Sequence, residues 1–169
     1  MKRSTERVLT THTGSLPRPP ELLEKLLQKE EGLHVNEASL SESVRTAVGE
    51  TVVKQAEVGV DVVNDGEVGK PGYTVYVKER LTGLDGEEAP PRTPSAETVD
   101  FPEYHSRPAR SRRGVRQPTC TGPIAWKNRD AVDRDIANLN AALAGVKPNE
   151  VFMTSASPGN VAHYHTDRY

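Results

Sequence analysis

Residues 59–67 read Gly59-Val60-Asp61-Val62-Val63-Asn64-Asp65-Gly66-Glu67, and the order of residue types in them decides the fold. The valine-rich stretch Val60 to Asn64 suits a short buried strand, and the turn formers that follow end it in a polar loop running to Gly72. Immediately upstream, Val44, Val48, Val52 and Ala56 recur at four-residue intervals behind Ser39-x-x-Glu42. That is the pattern of a helix opened by a capping box and closed at Gly59. Helix, glycine, strand and polar loop in immediate succession is the alternation of an α/β fold.

Working outward, Val8-Leu9-Thr10-Thr11 predicts an earlier strand that runs into the loop His12-Thr13-Gly14-Ser15-Leu16-Pro17-Arg18-Pro19-Pro20. Gly and Pro there forbid either strand or helix from continuing. Pro20 suits a first helical position, and Leu22, Leu23, Leu26 and Leu27 give an amphipathic helix ended by Gly32. In the other direction, Thr119-Cys120-Thr121-Gly122-Pro123-Ile124 predicts a strand and turn. Val132, Ile136, Leu139 and Leu143 mark a helix closed by Gly145, and Val151 to Ser155 predict a fourth strand that ends in the small-residue loop Ala156-Ser157-Pro158-Gly159.

Four strand-to-loop units correspond to half of a (β/α)₈ barrel, whose full length is about 250 residues. We therefore expect residues 1–169 to form the N-terminal half of a TIM-type barrel, of about four strand-helix units. A loop-rich insertion is expected at about 83–118, after the second strand. An isolated half barrel leaves two strand edges unpaired, so self-association through those edges is expected, and the chain reads as part of something longer.

The balance of 22 Lys+Arg against 24 Asp+Glu, a formal net charge of -2, disfavours a nucleic-acid or anionic-membrane surface. Hydrophobic residues make up 34% of the chain and the mean hydropathy is -0.64, so the core is thin. No run approaches the roughly 18 apolar residues of a membrane span, and no signal-type run follows the N-terminus, so a cytoplasmic protein is expected. The single Cys120 excludes an internal disulfide and a multi-cysteine metal site within the chain.

In an α/β barrel the working residues sit where strands pass into their C-terminal loops, here His12 to Ser15, Asn64 to Glu67, Cys120 to Gly122 and Thr154 to Gly159. Thr13-Gly14-Ser15 is a candidate anion corner, because small residues leave N–H groups free to hold a carboxylate. Glu67 is placed to grip an ammonium group or act as a base, though Asp-Gly-Glu also makes an ordinary turn. His12 either orients a substrate or is a hydrogen-bonded core histidine. His163-x-His165 places two imidazoles on one face of an extended segment, a pattern more common among surface residues than among metal ligands. Gly66-Glu67-Val68-Gly69-Lys70 lacks the spacing of a phosphate loop, and no Gly-x-Gly-x-x-Gly follows a strand. Five arginines between Arg107 and Arg116 read as a solvated loop or as a contact for a polyanionic substrate.

Taken in order, several of these stretches resemble the catalytic C-terminal barrel of the cobalamin-independent methionine synthase family. They are Thr10 to Arg18, Gly59 to Glu67, Tyr76-Val77-Lys78-Glu79-Arg80-Leu81-Thr82-Gly83, Cys120 to Ile124, and Phe152-Met153-Thr154-Ser155-Ala156-Ser157-Pro158-Gly159. The resemblance implies zinc-dependent methyl transfer, without cobalamin, from a methylated folate to the thiol of homocysteine. It implies that Thr13-Gly14-Ser15 binds the amino-acid end of homocysteine and that Glu67 takes its ammonium group. The stretch at Cys120 resembles one that touches the folate, although Thr119 stands where the family has arginine. Thr13 replaces an apolar residue and His12 has no counterpart in the methionine synthases proper. The chain is thus closer to the single-barrel relatives, whose methyl donor and acceptor stay open.

The family's zinc ligands, a His, two Cys and a Glu, and its acid histidine lie in the second half of the barrel. The resemblance therefore places them beyond Tyr169, and this chain is expected to supply the amino-acid-binding half of the site and to be inactive alone. Two other readings remain. One is a uroporphyrinogen-decarboxylase-like or thiol-alkylating relative, whose anionic substrate would suit the arginine run. The other is a non-catalytic half barrel that pairs with a partner.

Overall fold

The computed structural model of the chain describes residues 2–73, 75–86, 96–103 and 118–169. Helix α1, Pro20–Glu30, begins on the expected proline. Helix α2, Glu37–Glu57, starts two residues before the expected Ser39. The reason lies in side-chain competition. Asn36 Oδ1 accepts from Ser39 N at 2.9 Å and caps the helix, while Glu42 pairs with Arg45 at 2.8 Å, so the capping box does not form. At its far end the chain turns at Gly59, whose φ of 86° is open chiefly to glycine.

Strand β1 is Val62–Val63, shorter than the Val60 to Asn64 expected, and it pairs in parallel with β2, Glu150–Val151. The register is Val62 to Glu150 and Val63 to Val151. On the other side Val62 makes a single parallel bridge with Thr11. The first expected strand is thus reduced to a bridge, because the Thr11 hydroxyl donates to Val62 O at 2.7 Å and takes a carbonyl that a longer ladder would use. The fold is α/β with a small parallel sheet, and among the described residues the sheet has two strands where four strand-helix units were expected.

The Thr119 to Ile124 segment is not a strand of that sheet. It lies against residues 81–86, with Thr121 N donating to Gly83 O at 2.9 Å, Thr82 N to Ala125 O at 2.8 Å, and an antiparallel bridge from Leu81 to Trp126. On its other edge Cys120 bridges Asp167. Most of the expected insertion at 83–118, including Arg107 to Arg116, lies outside the described residues. Within it, helix α3 spans Ala96–Asp100. Helix α4, Asp130–Ala142, runs into a 3₁₀ turn at Leu143–Gly145, as the periodicity predicts.

The expected loop Ala156 to Gly159 instead starts helix α5, Pro158–Tyr164. Ser157 accepts from Asn160 N at 3.1 Å and Pro158 opens the first turn, a legible helix start. His163 is therefore helical, and the His165 ring turns back to Val161 O at 2.7 Å, so the two imidazoles do not share an extended face. No helix among the described residues is long and apolar enough to cross a membrane.

The main core joins α1, α2, α4 and β1 through Leu22, Leu26, Leu40, Val48, Val52, Val63 and Leu139. Val52 and Val63 are wholly buried. Full burial of such a side chain contributes about 1.5–3 kcal/mol. A smaller cluster forms on Tyr76, Val77 and Leu84, with Cys120, Ala156 and Val161 at its margin.

Two charged centres pin this frame. Asp61, just before β1, accepts from Arg7 Nη1 at 2.8 Å, Thr10 N at 2.9 Å and Asn149 Nδ2 at 2.9 Å, tying together all three parallel segments. Just past β1, Lys70 Nζ lies 2.6 Å from Asp65 Oδ2 with both side chains buried.

The Arg7 guanidinium, followed by the Thr10 N–H, holds the Asp61 carboxyl well below the usual carboxylate range. A depressed folded-state value means that this stabilisation is present above about pH 4 and is lost as the pH falls further. Urea midpoints should therefore drop below pH 4, and the drop should be smaller in Asp61→Asn; equal acid sensitivity of the two proteins would refute the assignment. Lys70→Met leaves the Asp65 charge buried alone and should destabilise by about 3–5 kcal/mol, whereas the double change Lys70→Met with Asp65→Asn should cost less. Denaturant melts of the three variants check the order.

Candidate functional site

The loop after β1 is built on a side-chain template. Gln55 of α2 brackets the Asn64 backbone, donating to its carbonyl at 2.8 Å and accepting from its N–H at 3.2 Å. Asn64 Oδ1 then accepts from Gly66 N at 2.7 Å, and Asn64 Nδ2 donates to His12 O at 2.7 Å, which draws the first loop alongside the second. Asp65 Oδ1 accepts from Glu67 N at 3.1 Å. Gly66 takes a φ of 61°, and a Cβ there would stand 2.6 Å from Thr51 Cγ2, so glycine is required by space as well as by dihedral. Its carbonyl accepts from Leu16 N at 2.9 Å.

Glu67 itself has a φ of 54°, the one positive value at a non-glycine among the described residues. Such a backbone costs on the order of 1–3 kcal/mol and persists only where surrounding bonds hold it. Arg18 supplies them. Its guanidinium donates to the carbonyls of Val68 at 3.0 Å and Glu67 at 2.9 Å, and also to that of Lys70. Burial lowers the Arg18 pKa, and the nearby Glu67 charge opposes that shift.

The Glu67 carboxylate is 5% exposed and faces the first loop. Ser15 Oγ donates to Oε2 at 2.7 Å and Thr154 Oγ1 donates to Oε1 at 3.0 Å. Tyr73 hydrogen-bonds Thr154 in turn, and its ring meets that of Tyr76 edge-on at 5.5 Å. Burial raises the Tyr73 pKa above the ordinary phenol range. The bond to Thr154 opposes the shift, and a hydrogen bond to Glu67, with the Glu67 and Asp65 charges, reinforces it. Among the described residues no lysine or arginine forms an ion pair with the Glu67 carboxylate, since Lys70 is engaged by Asp65 and Arg18 by main-chain carbonyls.

The structure thus brings Ser15 and Glu67 into direct contact, with Gly14 and the exposed Thr13 in the same loop. His12 Nε2 is 3.0 Å from Gly14 O, so the ring is turned onto its own loop. Cys120 does not join this network. It packs in the smaller apolar cluster, and its thiol donates to Gly122 O at 3.5 Å. No group of three or more His, Cys, Asp or Glu residues able to hold a metal ion occurs among the described residues.

Sequence reasoning missed Tyr73, Arg18 and Gln55, which act from outside the strand ends. Thr154 did lie at the end of an expected strand, so its position was a usable signal.

Comparison with known proteins agrees with the resemblance carried by the motifs. No family model matches the chain. The methionine synthase of Sulfolobus acidocaldarius is 26% identical over 160 residues, which cover 95% of this chain and 41% of that protein. Among solved structures, a B12-independent methionine synthase from Shewanella sp. W3-18-1, in complex with selenomethionine, superposes with a TM-score of 0.60 at 19% identity, again over 95% of this chain and 41% of that one. Over nearly all of its residues, then, the chain is similar to cobalamin-independent methionine synthases, of whose length it spans about two fifths.

Proposed function

We propose that this chain provides the amino-acid-binding part of a methyltransferase site of the methionine synthase kind, with Glu67 taking the ammonium group of a homocysteine-like or methionine-like ligand. The observation that carries this reading is the state of the Glu67 carboxylate. It is withdrawn from water, hydrogen-bonded by the hydroxyls of Ser15, Thr154 and Tyr73, and forms no ion pair among the described residues. A buried carboxylate with no ion-pair partner in contact is costly, and a ligand ammonium group supplies one together with N–H donors for the remaining lone pairs.

Ligand geometry follows from the neighbouring loop. The N–H groups of Thr13, Gly14 and Ser15 bond to no backbone carbonyl among the described residues, and Ser15 already touches Glu67. An α-amino acid whose ammonium group meets Glu67 therefore has its carboxylate within reach of this loop, which is suited to an anion. The bound selenomethionine of the Shewanella protein is a ligand of this class. His12, turned onto Gly14, would hold the shape of the anion corner.

The methyl donor and the thiol chemistry belong to the wider reading of a folate-to-homocysteine methyltransferase. Zinc, which that reading implies, finds no cluster of ligands among the described residues, so no step is assigned to it here. The uroporphyrinogen-decarboxylase-like alternative drew on Arg107 to Arg116, which lie outside the described residues.

Isothermal titration of the chain with L-methionine tests the assignment. Saturable binding is expected, and Glu67→Gln should weaken it by about 10- to 100-fold, the effect of one charge-assisted hydrogen bond. Wild-type affinity in the variant would sink the role given to Glu67.

A further inference from the structure

The Glu67 reading leaves two groups unexplained: a half-buried phenol, Tyr73, and the hydroxyl of Thr154, hydrogen-bonded to each other and set against the carboxylate. They come from separate parts of the chain. Tyr73 lies beyond the Gly69-Lys70-Pro71-Gly72 turn, and Thr154 just past β2. We infer that Tyr73 and Thr154 are positioning residues for Glu67, forming a hydroxyl network that fixes the carboxylate and makes the site select ligands carrying an ammonium group. This deepens the proposed function and rests on its assignment of Glu67.

Proton counting shows what each hydroxyl gives to the carboxylate. An ionised carboxylate only accepts, so Thr154 must donate its single hydroxyl proton to Glu67 Oε1. The phenol of Tyr73 is hydrogen-bonded both to Thr154 and to the carboxylate, and the second of these bonds takes its proton. Both hydroxyls thus converge on Glu67, which requires Tyr73 to keep its proton. Burial of that phenol works in the same sense, raising its pKa. The ring that carries the donor is itself held, edge-on against Tyr76, whose hydroxyl accepts from Ala156 N at 3.0 Å two residues beyond Thr154.

With Ser15 on Oε2 and Thr154 on Oε1, the carboxylate is gripped at both oxygens. It turns only acceptor lone pairs toward a ligand. An ammonium group satisfies them, whereas a ligand lacking the amine leaves them unmet in a buried place.

The test compares L-methionine with its analogue lacking the amino group, 4-(methylsulfanyl)butanoate, by titration of the wild-type chain and of Tyr73→Phe, Thr154→Val, Thr154→Ser and Glu67→Gln. Tyr73→Phe keeps the ring packing, and circular dichroism melts establish which variants are folded. We expect Tyr73→Phe and Thr154→Val to lose about 3- to 10-fold in methionine affinity, the worth of one neutral hydrogen bond, while affinity for the analogue is unchanged. Thr154→Ser, which restores the hydroxyl, should recover methionine binding. Should Thr154→Val not fold, Tyr73→Phe and Thr154→Ser carry the comparison. Equal losses for both ligands, or no loss in Tyr73→Phe while Glu67→Gln still abolishes discrimination, would overturn the positioning role and leave the Glu67 reading intact. Methionine affinity insensitive to Glu67→Gln, or no binding by the wild-type chain, would overturn both.

Discussion

Lys70 reaches back five residues to Asp65 inside the protein, and the closure of that short ring governs what the neighbouring carboxylate does. A buried lysine in this loop had two acidic candidates, Asp65 and Glu67. Its commitment to Asp65 leaves the Glu67 carboxylate with no ion pair among the described residues. The backbone bond from Glu67 N to Asp65 Oδ1 and the Arg18 contacts to three carbonyls then hold Glu67 in its left-handed conformation. Asp65 is thus paired internally, while Glu67, two residues on, makes no ion pair among the described residues.

The sheet that supports this loop is unusually dependent on side chains. β1 and β2 are two residues each, too few for backbone ladders alone to set the register. Asp61 does part of that work at one end of the sheet, joining Arg7, Thr10 and Asn149, and Asn64 does it at the other by linking Gln55, His12 and Gly66. The parallel segments are thus fastened above and below by polar groups. The valines between them supply the apolar burial that keeps those groups dry.

Much of this was legible in the sequence wherever local chemistry and tertiary packing agree. The helices at Pro20 and Asp130, and the close of α2 at Gly59, follow from proline, glycine and apolar spacing alone. Ser15 and Glu67 read as facing one cleft from their places at the ends of successive strands, and their side chains meet at 2.7 Å. The departures have physical causes. Asn36 outcompeted Ser39 as a cap, the Thr11 hydroxyl displaced ladder pairing, and Ser157-Pro158 began a helix where small residues suggested a loop. Tyr73 escaped notice because its role depends on a hydroxyl 81 residues away, a relation that no local pattern encodes.

The antiparallel seam between residues 81–86 and 119–126 also bears on how such a chain can change over time. Gly86 N donates to Thr119 O at 3.3 Å, so the chain departs and returns through adjacent points before and after the intervening residues. Entropy of closing such an excursion grows only logarithmically with its length, so lengthening it by half again costs less than 1 kcal/mol. The seam therefore acts as a graft point: sequence between its two sides can drift, shrink or be exchanged while Tyr73, Tyr76 and the loops around Glu67 keep their places.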